Sequence, residues 1–290
     1  MKTLQQLADE GELFYAFESE LVKQQLYDIV KEASIENRVG RQLVDVINLK
    51  SGAALDIITA DKDSMEFRRI AEGALIPVDT EAYTKATVTP AKWGNRVVIS
   101  TELQEDANWD VMQRNLRQAG REAGVREDVI IFTAFNDSTY GFPGTSGQYG
   151  TSAGTEISVT DIANMMYGPE SKDYNPNVLV LHPSQVKELR QIDTFVEADK
   201  VGSRVTFDKG FVGKIFGMDV VISRSAWVGQ TSTEYAWCLD TTEAGVLVVR
   251  RPLTMKTYEL PERDAIGVAV TFREEARVLR PEAGYRLTIS

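Results

Sequence analysis

Residues 103–135 read LQEDANWDVMQRNLRQAGREAGVREDVIIFTAF, the longest segment of the chain that fits one amphipathic helix and no other element. Trp109, Met112, Leu116, Ala119, Ala123, Ile130 and Ala134 recur at spacings of three, four or seven. At about 100° per residue they fall in one narrow sector, the expected buried face. Arg114, Arg117 and Arg121 lie opposite, and Glu102, Glu105, Asp106 and Asp110 crowd the amino end, where the helix dipole favours negative charge. Gly120 and Gly124 each cost about 1 kcal/mol relative to alanine in a helix interior, so a mid-helix pair predicts close approach of another backbone. At about 1.5 Å per residue the helix would run about 45 Å, longer than a compact domain of this size needs, and it reads as a strut.

With 290 residues and 43% hydrophobic content, the chain can bury one large core or two smaller ones. A net charge of −11 argues against nonspecific nucleic-acid binding by the whole surface. The arginine stripe could still touch a polyanion; a solvated face, or one paired with a neighbouring subunit's acids, is the commoner meaning of such a stripe. The lone Cys238 excludes an internal disulfide framework and reads as buried apolar filler in a reducing compartment. No apolar run approaches the roughly 20 residues needed to cross a membrane, and MKTLQQLADEGE lacks the apolar centre of a signal peptide. The expectation is a protein kept in a cytoplasm with no membrane partner.

Upstream of the helix, Leu13, Phe14, Phe17, Leu21, Leu26, Ile29 and Val30 form a helical stripe within residues 1–35, an amphipathic arm expected to reach a neighbouring chain. Residues 38–70 read as short strands around Val44–Ile47 and Ala54–Ile58, broken at Ser51-Gly52. Residues 71–100 read as a two-stranded ribbon, Thr84–Thr89 and Trp93–Ile99 turning at Pro90, polar on both faces and therefore in need of another surface. Thr101 to Gln104 has the form of a capping box. Downstream, residues 136–155 are a glycine-bearing loop. Its glycines, like those at Gly210 and Gly213, lack the lysine and hydroxyl spacing of a phosphate cradle. A second unit opens with Thr160 as N-cap, continues through the buried strand Val178–Leu181 and a helix from Pro183, adds strands at Met218–Ile222 and Tyr235–Leu239, and closes near Asp240. The last fifty residues read as strands 245–251, 253–260, 267–279 and 284–290. In the third, Ile266, Val268 and Val270 oppose Gly267, Ala269 and Thr271. Apart from the last, they have the long helix to pack on.

No constellation in this order supports catalysis. His182, the only histidine, leaves a buried strand just before Pro183, the setting of a hydrogen-bonded structural residue. One histidine and one cysteine cannot make a typical zinc site. Glu274 and Glu275 are adjacent on a strand and point to opposite faces, which spoils them as a glycosidase pair. No catalytic, cofactor-binding or metal residue is assigned.

Four local patterns carry a resemblance. AEGALIPVD running into TKATVTPAKWGNRVVISTELQED, NVLVLHPSQVKELRQI, GKIFGMDVVIS and REEARVLRPEAGYRLTI, in that order, resemble the major capsid proteins of tailed viruses with the Hong Kong 97-like fold, over residues 36–290. The implied class is α+β: an N-terminal arm over 1–45, an extended β ribbon or E-loop region over 46–98, and a peripheral domain with the spine helix over 99–158. An inserted α/β axial domain follows over 159–244, and residues 245–290 return as peripheral strands ending in the axial domain. The implied function is self-assembly of pentamers and hexamers into an icosahedral virion capsid enclosing double-stranded DNA, built in the host cytoplasm without enzymatic activity or cofactor. Implied partners are further copies of the chain, packaged DNA touched weakly from the lumen, and separate scaffolding, portal and cementing proteins where the shell needs them. An encapsulin-like cellular compartment shares the fold and is the alternative; an oligomeric enzyme ranks below it. Some relatives weld subunits through a ribbon lysine and an asparagine, assisted by a glutamate. Here Ile76 stands at the matched lysine position, no asparagine follows Asn177, and Glu275 is the nearest match to the glutamate. A shell without such bonds is implied.

Overall fold

The computed structural model describes residues 20–35, 38–60, 67–76, 78, 83–100, 110–144, 156–189, 191, 214–225 and 234–289. In chain order the described elements are helix α1 (Glu20–Ile35), a 3-10 turn (Gly40–Gln42), strands β1 (Asp45–Asn48), β2 (Leu55–Ala60), β3 (Tyr83–Val88) and β4 (Ala91–Ser100), and helix α2 (Asp110–Phe135). Then come helix α3 (Val159–Glu170), β5 (Val178–Leu181), helix α4 (Pro183–Leu189), β6 (Lys214–Ile215), β7 (Met218–Ile222), β8 (Glu234–Leu239), β9 (Gly245–Leu260), β10 (Ala265–Val278) and β11 (Gly284–Ile289).

Helix α2 is the carboxy-terminal 26 residues of the expected strut. The capping box, Trp109 and the acids before Asp110 lie outside the described residues. Leu116, Ala119 and Ile130 are buried as expected, and so are Ile131, Phe132 and Phe135 beyond the single stripe. The buried sector is wide because α2 touches α1 on one flank and β10, β4 and the 3-10 turn on others. The glycine pair has the expected cause: a Cβ at Gly120 would stand 2.5 Å from the Val30 carbonyl oxygen, and one at Gly124 would stand 2.5 Å from that of Ser34. The approaching backbone is that of α1. This corrects the expectation of an arm reaching a neighbour, at least from Glu20 on. Leu26 and Val30 are fully buried, and the Tyr27 hydroxyl donates to the Leu253 carbonyl at 3.2 Å. The sequence offered α1 no obvious local partner because its partner lies some ninety residues downstream.

Three sheets organise the strands: β1-β9-β10-β4, β11-β8-β5-β7-β6, and the pair β2-β3. The expected ribbon is thus re-paired. Strand β3 runs antiparallel to β2, from Leu55 opposite Val88 to Ala60 opposite Tyr83, while β4 runs along β10 from Ser100 opposite Ala265 to Ala91 opposite Glu274. Pro90 marks a crossing from ribbon to main sheet rather than a hairpin turn. Strands 245–251 and 253–260 are one strand, β9, continuous through Pro252. The proline is tolerated because the β9–β10 register shifts between Thr271 and Glu274, a bulge that relieves the ladder there, and because β1 pairs with β9 no further than Val249. In β10 the alternation is clean from Val268 to Val278, with every even-numbered residue buried.

In the second unit the cap of α3 is Ser158, two residues before the expected Thr160. Its hydroxyl accepts from the Asp161 N–H at 3.2 Å, and the Asp161 carboxylate takes the Ser158 N–H at 3.0 Å, a reciprocal box. The apolar strands β5 and β7 pair in parallel, and β8 and β11 complete the sheet over α3 and α4. Between the two units, Trp237 of β8 stacks on Phe132 of α2 at 5.1 Å and 26°, and Phe142 packs on Phe135 at 4.9 Å. The second unit is therefore joined to the spine through a shared aromatic core.

Candidate assembly surfaces and a buried charge clamp

The ribbon presents exposed apolar side chains with no cover among the described residues. Phe67, Leu75 and Val78 are at least 90% exposed, and Ile58 and Ile76 about 70%. Its base is anchored: Val88 packs against Val246 and Val248 with Leu55 and Ile57 beside it. Its edges are polar, with Lys85 Nζ 2.8 Å from Asp56 Oδ2 and the Thr87 hydroxyl donating to Asp56 Oδ1 at 2.7 Å. Both contacts hold the Asp56 carboxyl below its usual range. Beyond this base, residues 67–78 carry the exposed apolar cluster. In a single soluble subunit such a cluster marks an interaction surface.

Where the ribbon leaves the body, β3, β4, α2 and β10 enclose a cleft of about 450 Å³. Val88, Ile130, Ala276 and Val278 supply its apolar side, and Arg126 and Arg277 its charge. Both guanidiniums are held flat on aromatic rings, Arg126 at 4.1 Å from Trp93 and Arg277 at 3.9 Å from Tyr140. Asp137, also on the wall, is kept below the usual carboxylate range by the N–H groups of Thr139 and Tyr140. Glu275 faces the same cleft, its carboxyl raised by burial against the hydrogen bond from the Ala91 N–H.

A second cluster, absent from the sequence expectations, lies on the opposite face of β10. Glu127 of α2 sits 3.2 Å from Arg38 Nε and 2.7 Å from Arg41 Nε, and Arg41 Nη2 is 3.8 Å from Glu274 Oε2. Next to it, Asp128 Oδ1 accepts the backbone N–H of Gly40 at 2.7 Å and that of Val39 at 3.0 Å. Glu127, Asp128 and Glu274 are all buried. Burial pushes the Asp128 carboxyl up to about 6 against those two N–H bonds. Burial, aided by the charge of Glu127 and opposed by Arg41 and Arg38, pushes Glu274 up to about 8. The available cue was two acids three and four residues after Gly124, on the same stripe as Ile131. Their partners lie too far away in sequence to be read.

The other expected residues divide cleanly. His182 Nδ1 is 2.6 Å from the Ser184 hydroxyl, a local structural contact. Cys238 is fully buried 3.3 Å from Met218 Sδ, and burial pushes its thiol up, so it is filler. Glu274 and Glu275 do face opposite sides of β10. Arg114, Arg117 and Arg121 are exposed together on α2. Among the described residues no three His, Cys, Asp or Glu side chains are grouped to hold a metal ion, and no helix is long and apolar enough to cross a membrane.

No curated protein sequence matches the chain at a significant level. Solved structures do. The capsid of cyanophage P-SCSP1u is similar with a TM-score of 0.64 at 16% identity, over 86% of this chain and 87% of that one. Mycobacterium phage Che8 gives 0.66 at 14%, over 87% and 91%, and a virus-like particle from Pyrococcus furiosus gives 0.64 at 13%, over 92% and 99%. At these identities the likeness shows the fold, the Hong Kong 97-like α+β architecture. The profile of a family described as Phage capsid protein matches residues 83–287, well over half the chain. By that match, and on this fold, the chain belongs to the phage capsid protein family.

Proposed function

We propose that the chain is the major shell subunit of a tailed phage, assembling as pentamers and hexamers into an icosahedral capsid around double-stranded DNA in the host cytoplasm. Its role is structural, without catalysis. Residues 1–45 serve as the arm, 46–98 as the ribbon region with β2 and β3 as its paired strands, 99–158 as the peripheral domain and 159–244 as the axial domain. Residues 245–290 return through the peripheral sheet and end in the axial one. The observation that carries this reading is the ribbon, whose apolar cluster beyond Val88 has no cover among the described residues. A neighbour's cleft beside Glu275 offers an apolar wall of the right kind. Burying an aliphatic or aromatic side chain is worth about 1.5–3 kcal/mol, so the exposed cluster supplies roughly 10 kcal/mol, against an association cost of about 4–15 kcal/mol. One contact about breaks even, and cohesion comes from many contacts closing a symmetric shell. Separate scaffolding, portal and cementing proteins, and weak lumenal contact with DNA through the arginine stripe, complete the proposed partners.

The test replaces residues 61–82 by a short glycine-serine turn, keeping β2 and β3. Subunits that melt as the wild type does but form no particles in electron micrographs support the reading; normal particles refute it. That a particle described as virus-like shares this fold over 99% of its own chain keeps a shell other than a phage capsid, such as an encapsulin-like compartment, as the second reading. Portal and terminase genes beside this one decide for the phage.

A further inference from the structure

The clamp that ties the segment following α1 to α2 and β10 has an imbalance that its geometry makes consequential. Three buried carboxylates, Glu127, Asp128 and Glu274, face two guanidiniums, Arg38 and Arg41. Glu127 lies within ion-pair distance of the Nε of both arginines, although neither Nε nor Glu127 Oε1 has a hydrogen-bond partner among the described residues, and Asp128 is engaged by two backbone N–H groups. Glu274 is left with a single contact at 3.8 Å, and its Oε1 has no hydrogen-bond partner among the described residues. Beyond Arg41, the more distant charge of Arg38 is the other cation acting on it among the described residues; its strand neighbours are Ala91 on β4 and Val249 on β9, and Glu275 points away. The two sides of the clamp are also unequal in stiffness. Glu274 sits on β10, paired on both edges, whereas Arg41 lies within a three-residue 3-10 turn and Arg38 just before it.

We propose that this clamp is a base-released latch: the arm helix stays docked on the spine helix while Glu274 keeps its proton, and losing that proton frees it. A negative Glu274 must draw Arg41 from Glu127 or admit water, and the part able to move is the turn carrying Arg38 and Arg41. The burial-raised value of about 8 agrees in direction. A group raised in the docked state favours docking below its ordinary value and loses that favour as pH rises through the raised one. The inference concerns a contact within one subunit and goes beyond the shell reading; it holds or fails whether or not particles form.

The full-length protein is tested by amide hydrogen exchange of peptides spanning 20–42, corrected for intrinsic rates, from about pH 6 to about pH 10. The expected result is protection that falls through pH 8, opening rising by up to about tenfold per pH unit, while β9–β10 peptides stay unchanged. Glu274→Gln keeps the shape without the proton and is expected to flatten this dependence with the arm protected. Flat wild-type protection, or a Glu274→Gln variant with the wild-type profile, overturns the latch. If that variant fails to fold, infrared titration of the wild type decides: a carboxylic-acid band at neutral pH that disappears above pH 8 supports the proposal, and its absence overturns it.

Discussion

Gly120→Ala and Gly124→Ala test whether α1 is seated on the spine as described, because the sign of the effect depends on it. On a solvated helix each replacement gains about 1 kcal/mol in propensity. Here the new Cβ at Gly120 would lie 2.5 Å from the Val30 carbonyl oxygen and 3.0 Å from Ala33 Cβ, and that at Gly124 would lie 2.5 Å from the Ser34 oxygen. Each oxygen is about 1 Å inside ordinary van der Waals contact and belongs to a helix backbone, which cannot swing aside as a side chain would. The helices must therefore part, loosening Leu26 and Val30 against Leu116. Overpacking of this kind costs about 1–3 kcal/mol. Net of propensity, each single variant should lose up to about 2 kcal/mol of stability, and the double variant more. Denaturant unfolding gives the sign, and hydrogen exchange gives the place: peptides 24–35 lose protection while the β9–β10 hairpin keeps it. Alanine variants more stable than wild type by about 1 kcal/mol each would mean that no backbone lies there.

The carboxyl of Asp128 is raised from 3.8 to about 6, so its stabilising effect is complete below 3.8 and lost as pH rises through 6. Asp128→Asn should flatten the pH dependence of stability across that window by an amount on the order of 2–3 kcal/mol, read from denaturation midpoints. Replacing Arg114, Arg117 and Arg121 by Gln should leave empty shells intact and weaken genome retention, with a loss that shrinks at high salt; equal damage to empty-shell assembly would show that these arginines bind protein. Particles boiled in detergent should run as one band near 32.3 kDa, since Ile76 has no nucleophile and no asparagine follows Asn177; a ladder of ligated subunits would refute this.

How much of this could be read from the residues depends on how far each feature's cause lies along the chain. The glycine pair was legible because backbone approach leaves its mark on residue type, although nothing near it named α1 as the visitor. Strand β5 was legible as a continuous apolar run, buried on both faces. The partner of β3 was not, because β2 and β4 alternate equally well and pairing is decided by which surface each strand covers. Val88 must pack on β9, and only the β2 register leaves β4 free for β10. Pro252 misled for a similar reason: a proline breaks an isolated strand, but a bulge opposite Thr271 and Arg273 removes the need for its missing donor. The charge clamp joins residues 38–41, 127–128 and 274, and no local pattern spans that distance.

The docking of α1 changes which element can join subunits. A helix that buries Leu26 and Val30 at home has spent its apolar stripe there, and its described outer face, with Gln24, Asp28, Lys31 and Glu32 exposed, is polar. Among the side chains described on it, Ile35 is the large apolar one that is exposed, and one residue cannot offset the cost of association. The ribbon is the reverse case. Its base is fixed by Val88 and Leu55, its strands are tied by Asp56, Lys85 and Thr87, and beyond them Phe67, Ile70, Leu75, Ile76 and Val78 are exposed. A rigid base with an uncovered tip is what lets a contact form at a defined distance from the body, because little ordering entropy is lost when the tip docks. Of these two elements it is therefore the ribbon that offers exposed apolar surface, while the described part of the arm helix packs inside the subunit against the spine.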